Sequence, residues 1–150
     1  MKQTIAWFAT AKPQQFSPDR FPVFILTVEE GNFYGFPIWE HPGFKLGGPH
    51  FAREPFDPNE PTRIVNPRQL EAIHDCLKRY IPDAAGVPLT ARACMYTVTP
   101  DEHFIIDRLP GAEQVVLLSP CSGHGYKFAS VIGEILADLS TNRATRHDIG

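Results

Sequence analysis

The first third of the chain consists of short apolar runs separated by turn residues. Gln3 to Thr10 and Pro22 to Val28 are rich in β-branched and aromatic residues, and each reads as a strand. Lys12-Pro13 and Ser17-Pro18-Asp19 between them read as turns. The cluster Glu29-Glu30-Gly31-Asn32 leads into a third strand over Phe33 to Ile38, so an antiparallel meander is predicted. Periodicity vanishes from Trp39 to Pro61, where Gly43, Gly47, Gly48 and five prolines sit among charges. An extended loop with one short strand at Phe44-Lys45-Leu46 is predicted there, and long ordered loops often carry function.

Helical spacing appears next. Asn66 suits an N-cap and Pro67 the first helical position, Leu70, Ile73, Leu77 and Ile81 mark one apolar stripe, and Pro82 ends it. Thr90 to Thr97 reads as a strand, Pro100-Asp101-Glu102 as a turn, and His103 to Ile106 as a short strand. Val115 to Leu118 is apolar throughout, the pattern of a strand covered on both faces. After a glycine-bearing turn, Phe128, Val131, Ile132, Ile135, Leu136 and Leu139 recur at helical spacing. The predicted class is therefore α+β: an antiparallel or mixed sheet with a flanking helix over residues 1–102, then a strand-helix unit over 103–150. A lone strand-helix unit cannot cover its own apolar faces, so docking onto further sheet or self-association is expected.

Composition narrows the function classes. The 150 residues are 43% hydrophobic and 21% charged, which are globular values. A net charge of -3 offers no basic field, so neither nucleic acid nor an acidic membrane surface is an expected partner. No apolar run is long enough to span a membrane, and the start is too interrupted for a signal peptide, so a cytoplasmic protein is expected. Cys76, Cys94 and Cys121 are odd in number and irregular in spacing, which suits neither a disulfide framework nor a zinc site.

Candidate chemistry is densest in Cys94-Met95-Tyr96-Thr97, in Pro100-Asp101-Glu102-His103-Phe104-Ile105-Ile106-Asp107, and in Ser122-Gly123-His124-Gly125-Tyr126-Lys127-Phe128. Taken alone, Asp101 and Glu102 read as turn caps and His103 as a solvent-facing side chain. With their order and spacing, and with Pro22-Val23-Phe24, Phe33-Tyr34-Gly35-Phe36-Pro37 and Gly43-Phe44-Lys45-Leu46-Gly47 upstream, these segments resemble the C-terminal portion of the monomeric sarcosine oxidase and N-methyltryptophan oxidase family. The resemblance covers nearly the whole chain. It implies an FAD-dependent oxidase of secondary amines, forming an imine and hydrogen peroxide. It also implies that residues 1–102 belong to the substrate domain and 103–150 to the FAD-binding domain.

The same resemblance assigns roles. Cys94 matches the cysteine joined to the flavin, the alternative being a buried structural thiol. Lys45 matches the lysine that activates oxygen; a fixed ammonium stabilises the negative charge that forms as dioxygen is reduced. Lys127 matches the partner of the substrate carboxylate, at a helix start that also favours anions. Gly123, His124 and Gly125 match backbone that approaches the flavin, Thr97 a neighbour of its edge, and Tyr34 and Tyr96 the lining of the amine pocket. His50 resembles a pocket histidine, although it stands one residue further from Lys45 than in some members.

No Gly-x-Gly-x-x-Gly turn follows a strand anywhere in the chain. The expectation is thus of a portion that needs a dinucleotide-binding half, supplied by a separate chain or missing, and that is inactive by itself. A non-catalytic remnant that self-associates or binds a small carboxylate is the alternative.

Overall fold

The β-branched and aromatic runs become strands of one antiparallel sheet, as seen in a computed structural model that describes residues 1–48, 55, 57–59 and 64–149. The chain falls into two compact units, Met1–Met95 and Tyr96–Gly150. The first unit contains β1 (Lys2–Phe8), β2 (Phe24–Val28), β3 (Gly31–Phe36), β4 (Phe44–Gly47) and β5 (Pro88–Met95), in spatial order β2-β3-β4-β1-β5. The meander is real for β2, β3 and β4, but β1 departs from the expectation by pairing with β4 and β5 rather than with β2. The reason is the connector. Phe16, in the 3-10 turn Pro13–Phe16, is buried against Phe21 and Phe44 at 5.2 and 4.9 Å between ring centroids, and its carbonyl accepts from Ile38 N at 2.8 Å. Anchoring that aromatic carries β2 to the far edge of the sheet.

Period-2 alternation gives the sheet two different faces. One carries Ala6, Phe8, Phe33, Phe44 and Leu46 and packs with Ile73, Cys76 and Leu77 of α1 (Pro67–Tyr80). Asn66 caps the helix, its side chain accepting from Arg68 N at 2.9 Å, with Pro67 at the first position as its chemistry favours. One polar pair is buried in this interface. Gln69 Oε1 accepts from Thr4 N at 3.0 Å and from Thr4 Oγ1 at 2.6 Å, which satisfies both Thr4 donors.

The C-terminal turn of α1 is tied to the β2–β3 turn through Glu30. Tyr80 OH donates to Glu30 Oε2 at 2.8 Å, and Arg79 pairs with the same carboxylate. The Tyr80 hydrogen bond, then the local backbone, hold the Glu30 carboxyl below the usual glutamate range, while that hydrogen bond pushes the Tyr80 phenol up. A depressed glutamate stabilises the fold above its unfolded value and loses that contribution as pH falls through its folded value. The raised tyrosine contributes below its unfolded value and loses its share in strong alkali. Denaturation midpoints of the first unit should accordingly fall as pH drops below the ordinary glutamate range. Substitution Glu30→Gln should flatten that acid limb, and an unchanged limb would contradict the assignment.

In the second unit, β6 (Ile105–Leu109) and β7 (Ala112–Ser119) form a hairpin about Gly111, whose φ of 81° suits glycine. The helix α2 (Ala129–Asn142) follows a 3-10 turn at Tyr126–Phe128. Arg108 braces the arrangement, donating to Glu113 O and to Leu139 O, both at 2.6 Å. Three expectations are corrected here. β7 has an antiparallel partner within the chain, because the strand foreseen over His103 to Ile106 runs instead from Ile105 to Leu109 and meets it across the Gly111 turn. Val115 and Leu117 are 39% and 41% exposed, since alternate residues of a two-stranded hairpin point away from the helix, so this strand is not covered on both faces. Lys127 precedes α2 rather than lying in its first turn, because Phe128 N bonds Gly125 O at 2.9 Å and closes a 3-10 turn. All strand pairs among the described residues are antiparallel.

Candidate functional site

The sheet face away from α1 is built by register. Lys45 stands directly opposite Trp7 on β1 and Phe36 on β3, Gly47 opposite Ile5 and Tyr34, and Cys94 opposite Gln3. Directly opposed residues share a face, so Lys45, Cys94 and Tyr34 lie on one side of the sheet with Trp7 and Phe36. Lys45 and Cys94 are offset by four residues along β1, roughly 13 Å at the rise of an antiparallel strand. Tyr34 lies across Gly47, since a Cβ at that glycine would come within 2.4 Å of Tyr34 Cζ. Any side chain at 47 would displace the phenol from this floor.

The Lys45 ammonium rests over two rings, 5.1 Å from the Trp7 centroid and 4.7 Å from that of Phe36. A shallow hollow of about 170 Å³ opens beside it, lined by Trp7, Phe36, Trp39, Glu40, His41 and Lys45. Cys94 is half-buried, unlike Cys76, which is buried in the core. Burial and the nearby Glu30 charge push the Cys76 thiol up to about 11, so it stays a protonated, inert packing group at neutral pH. Of these two thiols of the first unit, only Cys94 stands on the candidate face. A half-open thiol, a lysine and a phenol on one sheet face fit a redox cofactor.

The second unit gathers the other candidates into one loop cluster. Ser122 N donates to Thr97 O at 2.8 Å, and Ser122 Oγ lies 3.1 Å from Thr99 Oγ1. Gly123 has φ 79° and sits against the Tyr96 ring, where a Cβ would approach Cδ2 to 2.9 Å. His124 stacks on Phe104 at 4.9 Å and its Nε2 lies 3.2 Å from Glu102 O. Gly125 is pressed against the Pro120 carbonyl, 1.5 Å from where a Cβ would be. Lys127 is exposed, its ammonium 5.0 Å from the Phe128 centroid. Tyr96, Thr97, Gly123, His124, Gly125 and Lys127 thus occupy two adjoining loops. The turn chemistry at Asp101 also holds: its carboxylate accepts from His103 N at 3.1 Å, which with the Thr99 side chain keeps it below the usual range.

His50 lies outside the described residues. Trp7, Trp39, Glu40 and His41 were not foreseen as site residues. Strand parity could have found Trp7 only once Lys45 had been paired with it, and nothing in sequence marks Trp39 to His41. A larger hollow of about 480 Å³ in the second unit, lined by Phe104, Ile106, Phe128, Val131, Ile132 and Ile135 among others, contains none of the candidate residues. Its lining is mostly apolar, and the polar candidates lie in the loop cluster. Among the described residues no group of histidines, cysteines and carboxylates could hold a metal ion, and no helix is long and apolar enough to cross a membrane.

The fold is similar to part of a solved variant of Amadoriase I from Aspergillus fumigatus, with a TM-score of 0.74 over 97% of this chain and 35% of that one at 21% identity. Sequence carries the likeness further. The chain is 37% identical over 150 residues to the monomeric sarcosine oxidase of Bacillus sp. strain NS-129, covering 99% of this chain and 38% of that protein. It is 35% identical over 153 residues to the N-methyl-L-tryptophan oxidase of Salmonella dublin, with 99% and 40% covered. The chain belongs to the FAD dependent oxidoreductase family, DAO, whose family model matches residues 3–139. It spans about two fifths of the length of these curated relatives.

Proposed function

We propose that this chain is the catalytic-face portion of an FAD-dependent oxidase of secondary amines, of the kind that takes N-methyl amino acids to imines with release of hydrogen peroxide. The observation that carries this reading is the placement of Lys45, Cys94 and Tyr34 on one sheet face, where Gly47 makes room for the Tyr34 ring. FAD, when bound, supplies the two-electron redox chemistry. Cys94 is the attachment thiol, and Thr97, Gly123, His124, Gly125 and Lys127 belong to the cofactor-facing loops. Tyr34 and Tyr96 line the amine pocket, and Lys127 pairs with the substrate carboxylate. Its side chain is exposed and so open to a ligand. Lys45 is the cation that stabilises charge developing on dioxygen, an electrostatic contribution that grows where water is excluded. Residues 1–102 form the substrate-domain portion and 103–150 part of the FAD-binding domain. Without a Gly-x-Gly-x-x-Gly turn, the chain alone has no cradle for the pyrophosphate, so it holds flavin weakly and is inactive until a dinucleotide-binding segment joins it.

A second reading is favoured by one observation. Ile105, Val115 and Leu117 place exposed apolar side chains around Asp107 on one side of the hairpin, which suits either that segment or a second copy of the chain. The remnant reading takes this face as a self-association surface with no catalysis.

Colour separates the two. The chain co-expressed with the dinucleotide-binding half of the sarcosine oxidase relative should yield yellow protein whose flavin survives acid precipitation, while the chain alone incubated with FAD should stay colourless. Substitution Cys94→Ser should abolish the acid-stable flavin. Its persistence would show that another thiol carries the bond, and colourless protein in every preparation would favour the remnant.

A further inference from the structure

Lys45 is flanked on both neighbouring strands by an aromatic residue directly opposite it: Trp7 on β1 and Phe36 on β3. Both rings hold its ammonium rather than only its stem, with Nζ 5.1 and 4.7 Å from the two centroids. The rings are themselves fixed. Trp7 is only 8% exposed and meets His41 edge-on at 5.9 Å, and Phe36 meets Tyr34 edge-on at 6.2 Å. Glu40 lines the same hollow, yet among the described residues Lys45 forms no ion pair with it or with any other carboxylate.

We propose that Trp7 and Phe36 form an aromatic clamp that positions the Lys45 ammonium, as a cation with no ion-pair partner among the described residues, on the sheet face away from α1. A carboxylate would restrain the long side chain equally well, but it would cancel the charge felt by anything arriving at the face. Ring faces restrain it through their quadrupoles and leave the net charge intact. The clamp is a consequence of register. Moving β4 by one residue would turn Lys45 to the α1 side and break both contacts at once. The functional meaning rests on the reading of Lys45 as the residue that stabilises reduced dioxygen, for which Trp7 and Phe36 are positioning residues.

The test uses the chain itself, with its lysines reductively methylated with ¹³C and the Lys45 signal assigned by Lys45→Arg. Methyl groups on Nζ sense ring currents only if the ammonium sits over the rings. The Lys45 resonance should lie upfield of those of Lys2, Lys12 and Lys78, move most of the way back in Trp7→Leu, and keep its displacement in Trp7→Phe. Because Trp7 is buried and its leucine variant risks misfolding, Phe36→Leu, at a 38% exposed site, gives an independent arm in which partial return is expected. A Lys45 resonance level with the others, or one unmoved by both leucine variants, overturns the clamp. Lys45→Met in the flavin-loaded complex tests the other reading: unchanged reoxidation by dioxygen would remove the oxygen role while leaving the clamp signature in place.

Discussion

Substitution Phe44→Ala is expected to remove about 3–5 kcal/mol from the stability of the first unit, a large share of the roughly 5–15 kcal/mol that holds a typical domain together. Phe44 is fully buried, and its ring meets Phe16 at 4.9 Å, Phe21 at 5.3 Å and Phe24 at 6.0 Å. Truncation opens a cavity walled by three rings that come from the connector and from β2, none of which can shift inward without breaking its own contacts. β4 has only four residues, and this cluster adds to the pairing with β1 and β3 that sets its register. Trp7 and Trp39 both lie in the first unit, which makes tryptophan emission during urea unfolding a probe of that unit alone. Ile25, 77% exposed, is the matched control, and Ile25→Thr should change stability by no more than about 0.5 kcal/mol. A loss under about 1 kcal/mol for Phe44→Ala would mean that the aromatic cluster does not bear on β4. The effect should reach the candidate face as well, because Lys45 is the next residue and points to the other side of the same short strand.

Local chemistry made much of this legible. Asn66-Pro67 marks the start of α1 because a capping acceptor followed by a residue without an N–H is favoured at those positions, and a strand is predicted at Phe44-Lys45-Leu46 inside an otherwise patternless stretch. Pairing was not legible. Nothing in Gln3 to Thr10 says whether its partner is β2 or β4, because both offer similar apolar alternation; the choice is made by Phe16, one residue in a turn, finding a place in the core. The same limit applies to the site. Lys45 and Cys94 could be singled out by the segments around them, but that they share a face depends on the parity of three strands, which is set by register. Val115 to Leu118 misled for a related reason: the run is apolar throughout, but Val115 and Leu117 are exposed on a two-stranded hairpin, and composition alone does not give the number of neighbours a strand has.

Glycine offers the sharpest test of the second unit, because two positions there should respond oppositely to the same substitution. Gly133 lies in α2 with open space where a Cβ would go, so Gly133→Ala should stabilise the helix by about 0.5–1 kcal/mol through reduced backbone freedom in the unfolded chain. Gly125 has an ordinary helical backbone, φ -76° and ψ -26°, and needs no positive φ. Its requirement is steric. A Cβ there would fall 1.5 Å from the Pro120 carbonyl oxygen, and since that atom is backbone, no rotamer change relieves the clash. Gly125→Ala should therefore force apart the 120–128 loop at a cost on the order of 2–4 kcal/mol, comparable to severe overpacking. The Ser122 N to Thr97 O bond joins this loop to the 96–103 segment, so its amide should exchange much faster in Gly125→Ala and at the original rate in Gly133→Ala. Equal exchange in both variants would falsify the close approach at Gly125. The outcome also bears on function, since Tyr96, Thr97, Gly123, His124 and Lys127 all depend on these two loops staying together. If they separate while α2 remains folded, retention of flavin in the complemented protein should fall with the loop contact rather than with overall stability.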